Sequence, residues 1–437
     1  MNSRVKEFLE FVRRAPSAFH AAQTAVDMLF AQGFERLNER EAWKLSPGKG
    51  YFATRNGSSV IAFAIPPSGG DHFQIVASHG DSPAFKLKPV FEQEASGAYI
   101  RLNTERYGGM LMSTWMDRPL SIAGRVMVRD GRKVVARLVD LDRDSCLIPN
   151  APIHFNREVN DGYKFNPQVD LLPVYGDAQD AGKLTAEIAR GCGAQPEDVV
   201  GFDLFLYNRE RGSVWGAEDS FFSCPRIDDL ECVYASLTAF LEARGARQVN
   251  VFALFDNEEV GSGTKQGADS TFLSDVLARI AEAVGMEDAR GAIASSFMVS
   301  ADNAHAIHPN HPEKYDADNR VRMNGGVVIK HNANQKYTTD GVSAAIFSEI
   351  CHAAGVPVQH FTNRSDVVGG STLGNIANAH ASMNTVDIGL AQLAMHSAYE
   401  TAGVRDLDNM VTALRQFYET EIVPCADGEY ELIDAAH

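Results

Sequence analysis

VNVFALFDNEEVGSG, residues 249 to 263, runs seven mostly apolar residues straight into three carboxylates, Asp256, Glu258 and Glu259, and then into glycines. An apolar run of strand length, bounded by turn residues, reads as a strand buried on both faces. In open α/β sheets, ligands bind beyond the carboxyl ends of such strands. Carboxylates held close together raise one another's pKa and cost stability. Acids crowded at a strand end therefore call for a compensating charge at that edge.

The same grammar recurs along the chain. FQIVA (73 to 77) leads into SHGDSP, FMVS (297 to 300) into ADNAH, and VVIK (327 to 330), VPVQHF (356 to 361) and TVDIGL (385 to 390) behave alike. Between them, residues 229 to 245, 270 to 285 and 342 to 355 read as helices, each ending in glycine, a common residue just past a helix C-terminus. A helix-like MHSAYETAG is expected after the last strand. Strands alternating with helices predict an α/β fold, a mixed sheet flanked by helices.

Residues 93 to 224 break the pattern. SIAGRVMVRDGRKVVARLVDL contains two alternating runs joined at Asp130-Gly131, a hairpin signal. LIPNAPIHFNREVND is broken by proline and loop-like. The expectation is a discontinuous α/β domain, 1 to 92 and 225 to 437, interrupted by a β-rich domain from 93 to 224.

Composition excludes some functions. The chain has 437 residues and a net charge of -17, which argues against nucleic acid or an anionic membrane as the main partner. Six scattered cysteines, with no CxxC pair, fit a reduced, cytoplasmic setting. The charged N-terminal stretch is unlike a secretory signal, and no uncharged apolar run approaches the ~18 residues of a membrane span. Gly369-Gly370-Ser371-Thr372 lacks the lysine pattern of a phosphate loop.

Five segments carry the chemistry. In His79-Gly80-Asp81, a carboxylate stands near enough to orient an imidazole ligand, although SHGDSP is also good turn composition. Asp228 opens a helix, where an acid is ordinarily an N-cap, yet its two oxygens can bridge two cations. Glu258 and Glu259 point in different directions, so one can ligate while the other reaches water. As a helix-start pair they would only favour the macrodipole. Asp302 ends its strand. His305, His308 and His311 follow it at intervals of three, but Pro309 and Pro312 break any helix there. His396 taken alone reads as a core histidine.

Together, two histidines, two aspartates and one glutamate form a mixed imidazole and carboxylate set suited to Zn2+, with Mn2+ or Co2+ as substitutes. Five ligands exceed the needs of one tetrahedral ion with an open position. They suit two ions ~4 Å apart that share one carboxylate.

Seven stretches carry a resemblance: ASHGDSPAFKLKP, PRIDDLECVYASL, FDNEEVGSGTKQGA, MVSADNAHAIHPN, IKHNANQKYTTDGVSAA, RSDVVGGSTLG and QLAMHSAYETAG, in that order. The chain resembles the M18 family of metallo-aminopeptidases, the aspartyl aminopeptidase group, over nearly its whole length. The resemblance implies a zinc-peptidase α/β fold with an inserted dimerisation domain, assembled as a tetrahedral homododecamer. It implies that His79, Asp228, Glu259, Asp302 and His396 hold two zinc ions. Asp228 would bridge, His79 and Asp302 would serve one ion, and Glu259 and His396 the other. Glu258 would be the general base and Asp81 would orient His79. Lys330, and also Arg364, would line a pocket for an acidic N-terminal residue, and His154 would reach a neighbouring subunit's site. Ile227-Asp228-Asp229 departs from the family's usual LDN but keeps the bridging acid. The implied reaction is removal of an N-terminal residue, Asp or Glu, from peptides. Alternatives are a neutral preference, a deacylase or carboxypeptidase of the same fold, or a non-catalytic scaffold.

Overall fold

In the computed structural model, which describes residues 3–434, the strand Val249–Phe255 is buried along its whole length. Its side chains alternate between two cores. Val249, Val251, Ala253 and Phe255 pack with Phe272, Leu277 and Ile280, while Phe252 and Leu254 pack with Leu230, Val233 and Phe417. Full burial of a side chain such as Phe252 or Leu254 contributes about 1.5–3 kcal/mol. The helices Ile227–Glu242, Gly341–Ala353 and Val404–Glu419 cover one face, and Phe272–Val284 and Leu373–Asn378 cover the other. The helices expected over 229 to 245, 270 to 285 and 342 to 355 thus form within a few residues of their predicted bounds. Gly285, left-handed at φ 78°, closes the second of them.

The main sheet has nine strands, in the spatial order Glu35–Arg36, Gly50–Arg55, Ser59–Ala64, Val249–Phe255, Phe73–His79, Phe297–Ala301, Asn384–Gly389, Val327–His331 and Val358–Thr362. The four strands from Val249–Phe255 to Asn384–Gly389 are mutually parallel, with Phe255 in register with His79. Their carboxyl ends share one edge. Val327–His331 runs antiparallel to Asn384–Gly389, so Lys330 approaches that edge from within the sheet and not from a strand end.

A second, antiparallel sheet has six strands: Lys133–Asp140, Leu120–Asp130, Val199–Asn208, Ala84–Ala95, Tyr99–Tyr107 and Val174–Asp177. The hairpin at Asp130-Gly131 forms, with Gly131 at φ 58°. The expected boundary at 92/93 falls inside the strand Ala84–Ala95, because that strand runs from the loop after His79 directly into the second sheet. At the other end, Ser213–Trp215 and Phe221–Cys224 join a third sheet with Glu400–Gly403, Ala391–Leu393 and Ala304–His305. Residues 213 to 224 therefore pair with the C-terminal part of the chain and not with the second sheet.

The helix expected at 395 to 403 is not there. Ala394 and His396 adopt left-handed conformations, φ 58° and 67°, which a right-handed helix does not admit. The chain turns there, then pairs as the strand Glu400–Gly403 before the helix Val404–Glu419 begins. Among the described residues no helix is long and apolar enough to cross a membrane.

Candidate metal centre

The shared edge collects the predicted residues. His79 is the last residue of its strand, and Asp302 directly follows Phe297–Ala301. Glu258 and Glu259 lie on a single 3-10 turn, Glu258–Val260, entered through Asn257 in a left-handed conformation. Asp228 lies where the helix Ile227–Glu242 departs from helical geometry, with ψ near 110°. No side chain caps that helix start, so the ordinary N-cap reading of Asp228 and Asp229 does not apply. His396 occupies the left-handed turn before Glu400–Gly403.

Ligand-capable atoms of these residues fall into overlapping groups, each within 4.8 Å across: His79, Asp228, Asp229 and Asp302; Asp228, Glu259 and His396; and His79, Glu258 and Glu259. Asp228 belongs to the first two. Its Oδ1 is 3.5 Å from His79 Nε2 and its Oδ2 is 3.2 Å from His396 Nε2. His396 Nε2 lies 3.5 Å from Glu259 Oε2. The Glu259 side chain is buried and belongs to both the His396 and the His79 group, whereas Glu258 belongs to the His79 group alone. The adjacent acids thus have different partners.

Supporting hydrogen bonds hold the set in place. The Asp81 carbonyl lies 3.1 Å from His79 Nδ1, and its carboxylate Oδ1 lies 3.4 Å from the same nitrogen. The Asp81 carboxylate also accepts from the amides of Glu258 and Glu259, both at 3.1 Å, and from the Tyr107 hydroxyl at 2.6 Å. Asp229 Oδ2 accepts from the His79 amide at 3.2 Å. Glu400, fully buried, accepts from the amides of Asp228 and His396 at 3.0 and 2.7 Å. Gly389 allows the chain around Asp302 to pass closely, since a Cβ there would stand 2.0 Å from the Asp302 carbonyl oxygen.

Tyr107, Asp229 and Glu400 escaped the sequence reading. Asp229 is visible only as the neighbour of Asp228, Glu400 was masked by a helix that does not form, and Tyr107 belongs to the other sheet. The ERYGGM context of Tyr107, a paired glycine after a strand, is its only sequence signal.

Electrostatics mark the site as short of positive charge. Burial, reinforced by the other carboxylates, pushes Asp229 and Glu259 well above the usual range and Glu258 up to about 7. Burial raises Asp302, with Lys330 opposing it, and pushes Glu400 up to about 8. Burial works against a charged His79, yet Asp228 and Asp229 hold its pKa well above the ordinary value. Asp228 Oδ1, Asp229 Oδ1 and Glu259 Oε1 are buried without a hydrogen-bond partner. Divalent cations would satisfy those oxygens and remove the repulsion. The imidazole and carboxylate donors suit zinc.

The remaining candidates lie in varied places. Lys330 is buried, donating to the Asp302 and Asn303 carbonyls at 2.8 and 3.3 Å, with Asp302 Oδ2 at 3.7 Å. Arg364 is exposed; its contacts are with Asp366 and the Glu313 carbonyl, not with the cluster, so the structure does not bring it to the pocket. His154 is exposed in the loop between 149 and 158. His308 and His311 pack ring against ring, 5.0 Å apart, away from the metal-ligand groups.

Comparison with known proteins points to a metalloprotease family. A family profile described as aminopeptidase I zinc metalloprotease (M18) matches residues 11–418. The chain is 45% identical, over 94% of its length and 98% of the relative's, to the probable M18 family aminopeptidase 2 of Clostridium acetobutylicum. Among solved structures it is similar to a chain of the Ape4 and Nbr1 complex, with TM-score 0.92, 35% identity, and 95% and 85% of the two chains covered. It is also similar to the S. cerevisiae mApe1 dodecamer, with TM-score 0.84, 26% identity, and 95% and 96% covered.

Proposed function

The chain belongs to the M18 aminopeptidases, a family of zinc metalloproteases, and on that premise we propose that it is a dinuclear enzyme that removes N-terminal Asp or Glu from peptides. The observation that carries the dinuclear reading is the pair of ligand groups that share Asp228. His79 and Asp302 would hold one ion, Glu259 and His396 the other, and Asp228 both. Zinc bound there supplies Lewis-acid polarisation of the scissile carbonyl and lowers the pKa of a water.

The protein's own groups do the rest. Glu258, half-buried, takes a proton from the attacking water and returns it to the leaving amine. Its main-chain amide is tied to Asp81, which holds the turn steady beneath it. Asp81 also orients His79, and Glu400 fixes the main chain of Asp228 and His396. Lys330 keeps a buried positive charge beside Asp302. An ammonium has three N–H bonds, and two of these are committed to main-chain carbonyls. The third is proposed to meet the carboxylate of an acidic N-terminal residue. The second sheet is proposed as the dimerisation unit of a tetrahedral homododecamer, in which His154 reaches a neighbouring active site. The dodecameric state of mApe1 supports that assembly. A cytoplasmic setting is proposed, in keeping with the scattered free cysteines.

Aspartyl, glutamyl, leucyl and alanyl reporters, each with and without chelator, test the reading. Chelator should abolish hydrolysis, and the aspartyl and glutamyl reporters should be the better substrates. Lys330→Met should lower the aspartyl-to-leucyl ratio of kcat/KM by about 10²-fold, as when a site loses the partner of a substrate's polar group. A wild-type preference for leucine, or an unchanged ratio in the variant, would defeat the acidic assignment and leave aminopeptidase activity standing.

A further inference from the structure

We infer that Tyr107, contributed by the second sheet, is a positioning residue for the metal centre: its hydroxyl holds the Asp81 carboxylate, and through it both His79 and the turn bearing Glu258 and Glu259. The inference rests on reading this site as a metal-dependent aminopeptidase centre. Asp81 is buried, so its carboxylate oxygens need donors. The amides of Glu258 and Glu259 supply two, and the Tyr107 hydroxyl, at 2.6 Å, is the shortest. An O–H donated to a carboxylate at that distance is among the stronger hydrogen bonds a protein makes.

The direction of the bond is set from behind. Asn257 Oδ1 accepts from Thr264 Oγ1 at 2.9 Å and from Gln266 Nε2 at 2.7 Å. Those two donors fix the amide so that Nδ2 faces Tyr107 and donates to its oxygen at 2.9 Å. The phenol is an acceptor from Asn257, and its single hydrogen is free for Asp81. Burial, with Asp81 and Asp256 nearby, holds the phenol far above its usual pKa, so it remains a donor. Phe205, edge to face at 5.5 Å, steadies the ring.

A second contact comes from the same strand end. Gly108, at φ 75°, lies so close to Glu259 that a Cβ there would stand 3.1 Å from the Glu259 Cβ and 3.4 Å from its Oε2. Tyr107 and Gly108 thus set the second sheet against both the orienting acid and a proposed ligand. The sheet proposed for dimerisation is also part of the active-site frame.

Tyr107→Phe removes one oxygen and keeps the ring. Zinc affinity, measured by chelator competition, should weaken about 10-fold and kcat should fall about 10-fold, the scale typical of groups that orient metal ligands. KM should stay within about twofold, because the hydroxyl is committed to Asp81 and Asn257. In an Asp81→Asn background the same change should have little further effect on either quantity, since the two residues act as one unit. A purely structural tyrosine would lower Tm and leave zinc affinity and kcat per bound metal within about twofold. That result, or an undiminished effect in the Asp81→Asn background, overturns the inference. Wild-type protein that binds zinc yet hydrolyses no aminoacyl reporter would defeat the aminopeptidase reading alone, because the affinity ratio still decides the role of Tyr107.

Discussion

Glu258→Gln should lower kcat on an aminoacyl reporter by about 10²–10⁴-fold, the usual contribution of a positioned acid–base group. Zinc content and fold should be retained. Glutamine preserves the shape of the side chain and its hydrogen-bonding reach but cannot take a proton at neutral pH. The main-chain amide of residue 258 still donates to Asp81, so the turn carrying the two acids stays in place. Metal binding is spared because the acid of the pair that faces His396 is Glu259, at 3.5 Å. Glu259→Gln makes the contrast: it should reduce the zinc stoichiometry, whereas Glu258→Gln should not. Metal analysis and steady-state kinetics on the same preparations decide it. Near-wild-type kcat in Glu258→Gln would overturn its assignment as general base.

That contrast also explains how much of the site is legible from the chain. A strand buried on both faces must be apolar at every position, so VNVFALF and FQIVA announce themselves, and the residue after such a run lands on the ligand edge. His79, Asp302 and the Glu258-Glu259 pair follow from this rule. Asp228 and His396 do not end strands of the main sheet. Their convergence depends on the geometry around Ile227 and on the left-handed turn at Ala394 and His396, neither of which has a periodic signature. The same turn defeated the helix expected through Glu400, because composition favours a helix there while pairing with Phe221–Cys224 wins. Tyr107 is harder still. It lies in a different sheet, about 150 residues in sequence from its partner Asn257. Only the packing of the two sheets brings its hydroxyl to Asp81. Lys330 illustrates the limits of local reading in another way, since a strand running antiparallel to Asn384–Gly389 buries its charge inside the sheet.

The largest effect on the metal centre itself is expected from Asp228→Asn. Asp228 is the carboxylate that joins the group of His79, Asp229 and Asp302 to the group of Glu259 and His396, facing His79 through Oδ1 and His396 through Oδ2. Burial opposes its ionisation, but the neighbouring His396 and His79 imidazoles outweigh burial and hold its pKa below the usual carboxylate range. It is therefore the acid already prepared to be an anion, while burial and repulsion raise Glu259 and Asp229. Asparagine keeps one accepting oxygen and turns an NH2 group, which cannot ligate a cation, towards the other side. Both ions should then be bound more weakly, and kcat should fall by at least about 10³-fold, since the shared ligand of a two-metal site supports both of its roles. His396→Ala provides the comparison. It removes a ligand from one group only, so zinc content should fall from two ions towards one, whereas Asp228→Asn should deplete both. Metal analysis after dialysis against a buffered trace of zinc separates the two outcomes. Two ions retained at wild-type affinity in Asp228→Asn would show that this carboxylate is not shared, and the dinuclear arrangement proposed for the site would have to be abandoned.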